Sequence, residues 1–210
     1  MQSFLIANPK GGCGKSTLAT NLAGCLAAAG HAVMLGDVDR QQSARQWLAL
    51  RPPQLPVIGS WDVAGDHIVR PPKGTTHVVL DTPAGLHGKK LDVVVKSIHR
   101  VIVPLQPSIF DILATRAFLD ELLEEKAVRN QKTFIAVVGM RVDARTRAAH
   151  ELERFLEGLD VPVLGFLRDT QVYVQAAAHG LTLFDLSPAR AAQDLPQWQG
   201  IIDWVDAPHE

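Results

Sequence analysis

Residues 8–17 read NPKGGCGKST, and this stretch decides the fold. Gly14, Lys15 and Ser16 stand where a phosphate-binding loop of the form G-x-x-x-x-G-K-[ST] requires them. Pro9, however, occupies the place of the motif's first glycine, and Lys10 supplies a second lysine five residues ahead of Lys15. A short apolar run at residues 4–7 leads into the stretch, and a helical pattern opens at Ser16. Strand, glycine-rich turn and helix in that order separate a working phosphate loop from a chance match. Gly11, Gly12 and Gly14 let backbone N–H groups ring an anion, and the helix N-terminus adds its positive end. Lys15 is then placed to hold β and γ phosphates, and the Ser16 hydroxyl to ligate a magnesium ion.

Working outward, apolar runs at residues 32–35, 77–80, 100–104, 134–138 and 161–164 alternate with longer stretches of helical period. The runs are apolar without alternation, as in strands covered by helices on both faces, so the pattern predicts an α/β fold with a mostly parallel sheet. Residues 16–29 form the clearest helix, with Leu18, Leu22 and Leu26 as a stripe and Gly30 as its stop. Pro52, Pro53, Pro56, Pro71 and Pro72 punctuate residues 51–76, which read as an irregular surface excursion. A last helix is expected within residues 189–205, with a loose tail from about residue 205.

With 210 residues, 47% hydrophobic and 20% charged, the chain suits a single domain over residues 1–210. A formal net charge of -1 gives no global polycationic footprint, so any basic surface is local. Cys13 and Cys25 make neither a metal spacing nor a disulfide framework, which points to a reducing cytoplasm. Cys13 reads as a small loop filler, because the sequence offers no base to activate it. No run approaches membrane-spanning length, and the run at residues 4–7 is too short for a signal sequence. The expectation is a protein neither exported nor inserted.

Two further segments carry acids at the ends of apolar runs. DVDRQQSA, residues 37–44, puts Asp37 and Asp39 two apart at the carboxyl edge of the sheet, where ligands sit in open α/β folds. One of these acids is placed to orient an attacking water; capping of the next helix is the plainer alternative. VVLDTPAG, residues 78–85, ends its strand on Asp81, which fits the acid that holds magnesium through water.

Together with VPLQPSIFD (residues 103–111) and DTQVYVQAAAHGLTLFD (residues 169–185), these segments resemble the ParA/MinD group of deviant Walker ATPases. That group's loop reads K-G-G-x-G-K-[ST], and the likeness runs over nearly the whole chain. It is greatest to small ParA and ParF partition ATPases, which begin at the phosphate loop. The resemblance implies a P-loop NTPase fold, ATP and Mg2+ as cofactors, and a homodimer closed face to face over two ATP molecules. Lys10, Gly11, Gly12, Cys13, Gly14, Lys15, Ser16 and Thr17 then form the nucleotide-binding set, and Ser16, Asp37 and Asp81 the metal set. Lys10 is implied to reach the partner's phosphates, as an arginine finger does elsewhere. Asp39 is implied to position the water, with Asp37 beside the metal; Arg40 departs from the proline common in the family's D-x-D-P-Q. Asp111 falls in a segment that responds to nucleotide in the family, and a surface or capping acid explains it equally. Arg141 stands where relatives present a residue, often asparagine, to the adenine base.

Basic residues thicken at Arg141, Arg145, Arg147, Arg154 and Arg168, with Arg190 further on. Dimerisation would double such a patch and give useful affinity for nonspecific DNA, although Glu151, Glu153 and Glu157 share the same helix pattern. The implied biology is cytoplasmic and nucleoid-associated: a ParB-like or other adaptor stimulates hydrolysis, and a plasmid, chromosome locus or protein assembly is the cargo. Two other readings use the same scaffold. A MinD-like membrane regulator of division needs a basic amphipathic C-terminal helix, whereas LPQWQGIIDWVDAPHE is acidic. An ATP-dependent metabolic ligase would turn over a small acid without DNA.

Overall fold

The computed structural model describes residues 1–38, 42–61 and 70–208. Its frame is one sheet of seven strands: β1 (Gln2–Ile6), β2 (Val33–Asp37), β3 (Ile58–Trp61), β4 (His77–Asp81), β5 (Arg100–Leu105), β6 (Phe134–Val142) and β7 (Val163–Arg168). They lie in the order β3-β2-β4-β1-β5-β6-β7. Every pairing is parallel, including β2 with β4 and β1 with β5. β1 therefore sits in mid-sheet between two strands that come after it in the chain, which opens a crevice at its carboxyl end.

The apolar runs lack alternation because both faces are buried. Phe4 and Ile6 of β1 enter one core, while Leu5 of β1 and Ala7 just beyond it enter the other. The first core is closed by helices α1 (Lys15–Ala28), α2 (Ser43–Leu50), α7 (Gln171–Ala177) and α9 (Gln199–Asp206). The second is closed by α3 (Lys89–Val95), α4 (Ile109–Glu124) and α6 (Arg147–Glu157). Two single-turn helices, α5 (Lys126–Arg129) and α8 (Pro188–Ala191), complete the α-helices of the described residues, beside 3₁₀ turns at Leu183–Asp185 and Leu195–Trp198. α1 is buried along most of its length, which explains its alanine content: small side chains let a helix lie close to the sheet. At Gly24 a Cβ would clash with the buried Thr182 side chain, so the helix needs a glycine there. Truncation of a fully buried contact such as Leu22 to alanine is expected to cost about 2–5 kcal/mol.

The structure corrects three sequence expectations. The proline-rich excursion contains β3, an edge strand whose flanking prolines are tolerated because only one side is paired. The last helix is not continuous. α8 gives way to a 3₁₀ turn at Leu195–Trp198, where Pro196 has no N–H to donate, and α9 begins after it. The segment just past residue 205 is anchored, because the buried Arg100 guanidinium donates to the carbonyls of Val205 and Ala207.

Candidate nucleotide-binding site

The loop between β1 and α1 is built on left-handed turns at Gly12 (φ 78°) and Gly14 (φ 95°), a region that disfavours any side chain. A Cβ on Gly14 would also lie 2.8 Å from Met140 Cε, so β6 forms one wall of the loop. Gly14 is the N-cap of α1 and supplies no side-chain cap, which leaves the first-turn amides of that helix for a ligand. Pro9 is compatible with this geometry. The Asn8 carboxamide accepts from the Lys10 amide at 2.9 Å, an Asx turn whose middle residue needs no N–H.

Lys15 is buried, and its Nζ donates to the Lys10 carbonyl at 2.7 Å, with Cys13 Sγ at 3.8 Å. Lys10 is half-buried at the loop's edge. The two lysines thus occupy different positions, one inside the ring and one at its rim. Burial raises the Cys13 thiol above its usual value, against the Lys15 charge, so this cysteine is a packed neutral group as expected of a filler. Gln106 Nε2, following β5, donates to the Gly12 carbonyl at 2.8 Å and ties the far side of the loop.

At the carboxyl edge, Asp37 and Asp81 are register partners on neighbouring strands. Asp37 Oδ2 accepts from the amides of Ala44 at 2.8 Å and Arg45 at 3.4 Å, so it caps α2 from outside that helix. Asp81 is 1% exposed, and its Oδ1 has no protein partner among the described residues. Desolvation pushes its carboxyl up to about 7; the Asp37 charge adds to the rise, while the Ser16 hydroxyl and Lys15 oppose it. An orphaned buried carboxylate oxygen facing a helix-start hydroxyl suits a hard divalent cation. Among the described residues no three His, Cys, Asp or Glu gather as a metal cage. Asp39, the expected water-positioning acid, lies outside the described residues. Thr17 and Ser16 begin α1 half-buried beside the loop.

Asp111 lies in the first turn of α4, while Ser108 is the N-cap of that helix and extends no side-chain cap. Arg141 follows Met140 in β6 and is held in the left-handed region, φ 52°, where asparagine is favoured over arginine. Arg145 pairs with Asp143 at 2.9 Å and Arg147 with Glu151 at 3.3 Å, both arginines almost fully exposed. Such pairs are weak enough to exchange for phosphate. Arg168 is different: it grips the fully buried Asp194 through two bonds of 2.6 and 3.1 Å, and its release would strand that carboxylate. Arg190 is exposed on α8, 3.4 Å from the Gln175 carboxamide. Asn8, Gln106 and Thr82, whose hydroxyl donates to the Ile6 carbonyl at 2.8 Å, support the loop without having been singled out in the sequence.

The nucleotide-binding domain shared by CobQ, CobB, MinD and ParA matches residues 4–183 of this chain. The chain belongs to this family. Within the CobQ/CobB/MinD/ParA family, it is 30% identical over 209 residues to the maintenance of carboxysome distribution protein A of Gloeobacter kilaueensis, covering 96% of this chain and 92% of the relative. The solved structure of the MinD cell division protein of Aquifex aeolicus superposes with a TM-score of 0.73 at 18% identity, covering 100% of both chains. A Borrelia burgdorferi plasmid partition protein bound to AMPPNP gives a TM-score of 0.72 at 18% identity, over 97% of this chain and 99% of that one. The fold is therefore that of the family's P-loop nucleotide-binding proteins, and among the described residues no helix is long and apolar enough to cross a membrane.

Proposed function

We propose that this protein is a Mg2+-dependent ATPase that closes as a homodimer over two ATP molecules, binds nonspecific DNA in that state, and positions a cargo. The observation that carries the proposal is the pair of lysines on one loop, Lys15 buried within the ring and Lys10 at its rim. A single nucleotide needs one of them. The other is explained by a second nucleotide presented from outside, on a partner subunit. In this reading Lys15, the amides of residues 11–17 and the positive end of α1 bind the phosphates. Ser16 and Asp81 would hold a magnesium ion, with Asp37 beside it and committed through Oδ2 to the α2 cap; the ion would neutralise phosphate charge, and Asp39 orients water. Lys10 completes the charge neutralisation in trans, so hydrolysis waits for dimerisation.

The likeness to a carboxysome distribution protein favours a protein assembly in the cytoplasm as the cargo, with the nucleoid as track and an adaptor as stimulus. Of the arginines expected at DNA, Arg141, Arg145, Arg147 and Arg190 are exposed to DNA phosphates, while Arg168 serves the fold. A membrane-surface role has less support: α9 already buries Ile201 and Val205 in the core and carries Asp203 and Asp206 rather than basic residues. Light scattering tests the proposal. The protein is expected to double in mass with Mg-ATP and to remain monomeric with ADP, and Lys10→Ala is expected to lose the difference. An unchanged mass in all nucleotide states would refute it.

A further inference from the structure

We infer that Asn8 and Thr115 form a buried relay that sets the position of Lys10, and that both are positioning residues for the two-subunit reaction. The inference rests on the reading of Lys10 as the residue that serves the second subunit's nucleotide. Asn8 and Thr115 are each 0% exposed. The Asn8 carboxamide uses its full complement of groups. Its Oδ1 accepts from the Lys10 amide at 2.9 Å, and its Nδ2 donates to the Pro104 carbonyl at 2.8 Å and to Thr115 Oγ1 at 2.9 Å. An exposed Asx turn would need only the first of these bonds. The other two refer the Lys10 backbone to β5 and α4 instead of to the loop itself.

Both backbone polar groups of Lys10 are held: its N–H by Asn8, its carbonyl by Lys15 Nζ. A nucleotide that engages Lys15 competes for the second tether. The Asn8 tether then decides where Lys10 points. Pro9 limits the freedom between the two residues, so a displacement of Asn8 passes to Lys10 with little slack. Thr115 brings α4 into the relay, and that helix exposes Ile109, Phe110 and Leu113 in the turns before it. Removal of the Thr115 acceptor leaves a buried N–H unpaired and frees the carboxamide to shift.

Turnover as a function of protein concentration, measured beside the affinity for a fluorescent ATP analogue at high dilution, tests the relay. Thr115→Val is nearly isosteric. It is expected to keep analogue affinity within about twofold while raising the concentration for half-maximal turnover about tenfold, the effect of one unsatisfied buried group. Thr115→Ser is expected to restore wild-type behaviour. If the valine protein fails to fold, Thr115→Ala, which removes the same acceptor with less bulk at the buried position, gives the same reading. Wild-type turnover curves for these variants, beside a defective Lys10→Ala, would overturn the relay, as would failure of serine at position 115 to rescue. If wild-type turnover per subunit is independent of concentration and Lys10→Ala matches it, the two-subunit reading itself fails, and the relay with it.

Discussion

Asp37 and Asp81 end adjacent strands in the same register, yet their surroundings differ. At the end of β2 the carboxylate is answered by the protein, with two amides of α2 on Oδ2. At the end of β4 burial raises the carboxyl to about 7, and among the described residues Oδ1 has no protein partner. One aspartate stabilises a helix start. The other is held at a cost that a bound cation would remove. Residue type and sheet position therefore do not assign a role at this edge; the partners of each oxygen do.

The largest effect is expected at Asp81. Asp81→Asn is expected to lower Mg-dependent ATP turnover by roughly a hundredfold or more, since loss of cation-linked charge neutralisation removes several kcal/mol from the transition state. In chelator the same variant is expected to melt higher than wild type. A loss of thermal stability without metal would show that Asp81 serves the fold as Asp37 does.

The pH dependence sharpens the same point. Without metal, folded Asp81 keeps its proton up to about pH 7, whereas the unfolded chain releases it near 3.8. The folded state binds more protons across that window, so the stability contributed by this group is present below pH 4 and is lost as pH rises through 7. The loss is at most about 4 kcal/mol, and Asp81→Asn should abolish it in urea titrations across this range. A slope that persists in the variant belongs to other groups.

Asp37→Ala is expected to cost about 1 kcal/mol through loss of the α2 cap, read as a lower denaturation midpoint even in chelator. No change in midpoint would remove the contrast between the two acids. The smallest effect is expected at a third strand of the same sheet. Arg141→Asn should stabilise by up to about 1 kcal/mol, because asparagine tolerates the left-handed backbone that arginine adopts there.

The phosphate loop and the central strands were legible because their signals are local. Glycines sit where positive φ is needed, and the strand runs are apolar because both faces are covered. β3 was hidden because IGSW offers two apolar residues, one glycine and no alternation, and the strand exists only through its pairing with β2. Asn8 was visible as a letter but not as a buried hub, since its partners Pro104 and Thr115 lie 96 and 107 positions away. The commitment of Arg168 to Asp194 was likewise a matter of tertiary contact: the sequence shows a basic residue, and the fold supplies its partner. The contrast between Asp37 and Asp81 was unreadable for the same reason, because α2 and the core determine which oxygens are satisfied.

The nucleotide switch on DNA is tested by binding of the purified protein to nonspecific duplex DNA with ATP, ADP or no nucleotide, at two salt concentrations. Binding is expected with Mg-ATP alone, weakened by salt in keeping with phosphate contacts, and prolonged by Asp39→Ala. Equal DNA affinity in all three nucleotide states would contradict it.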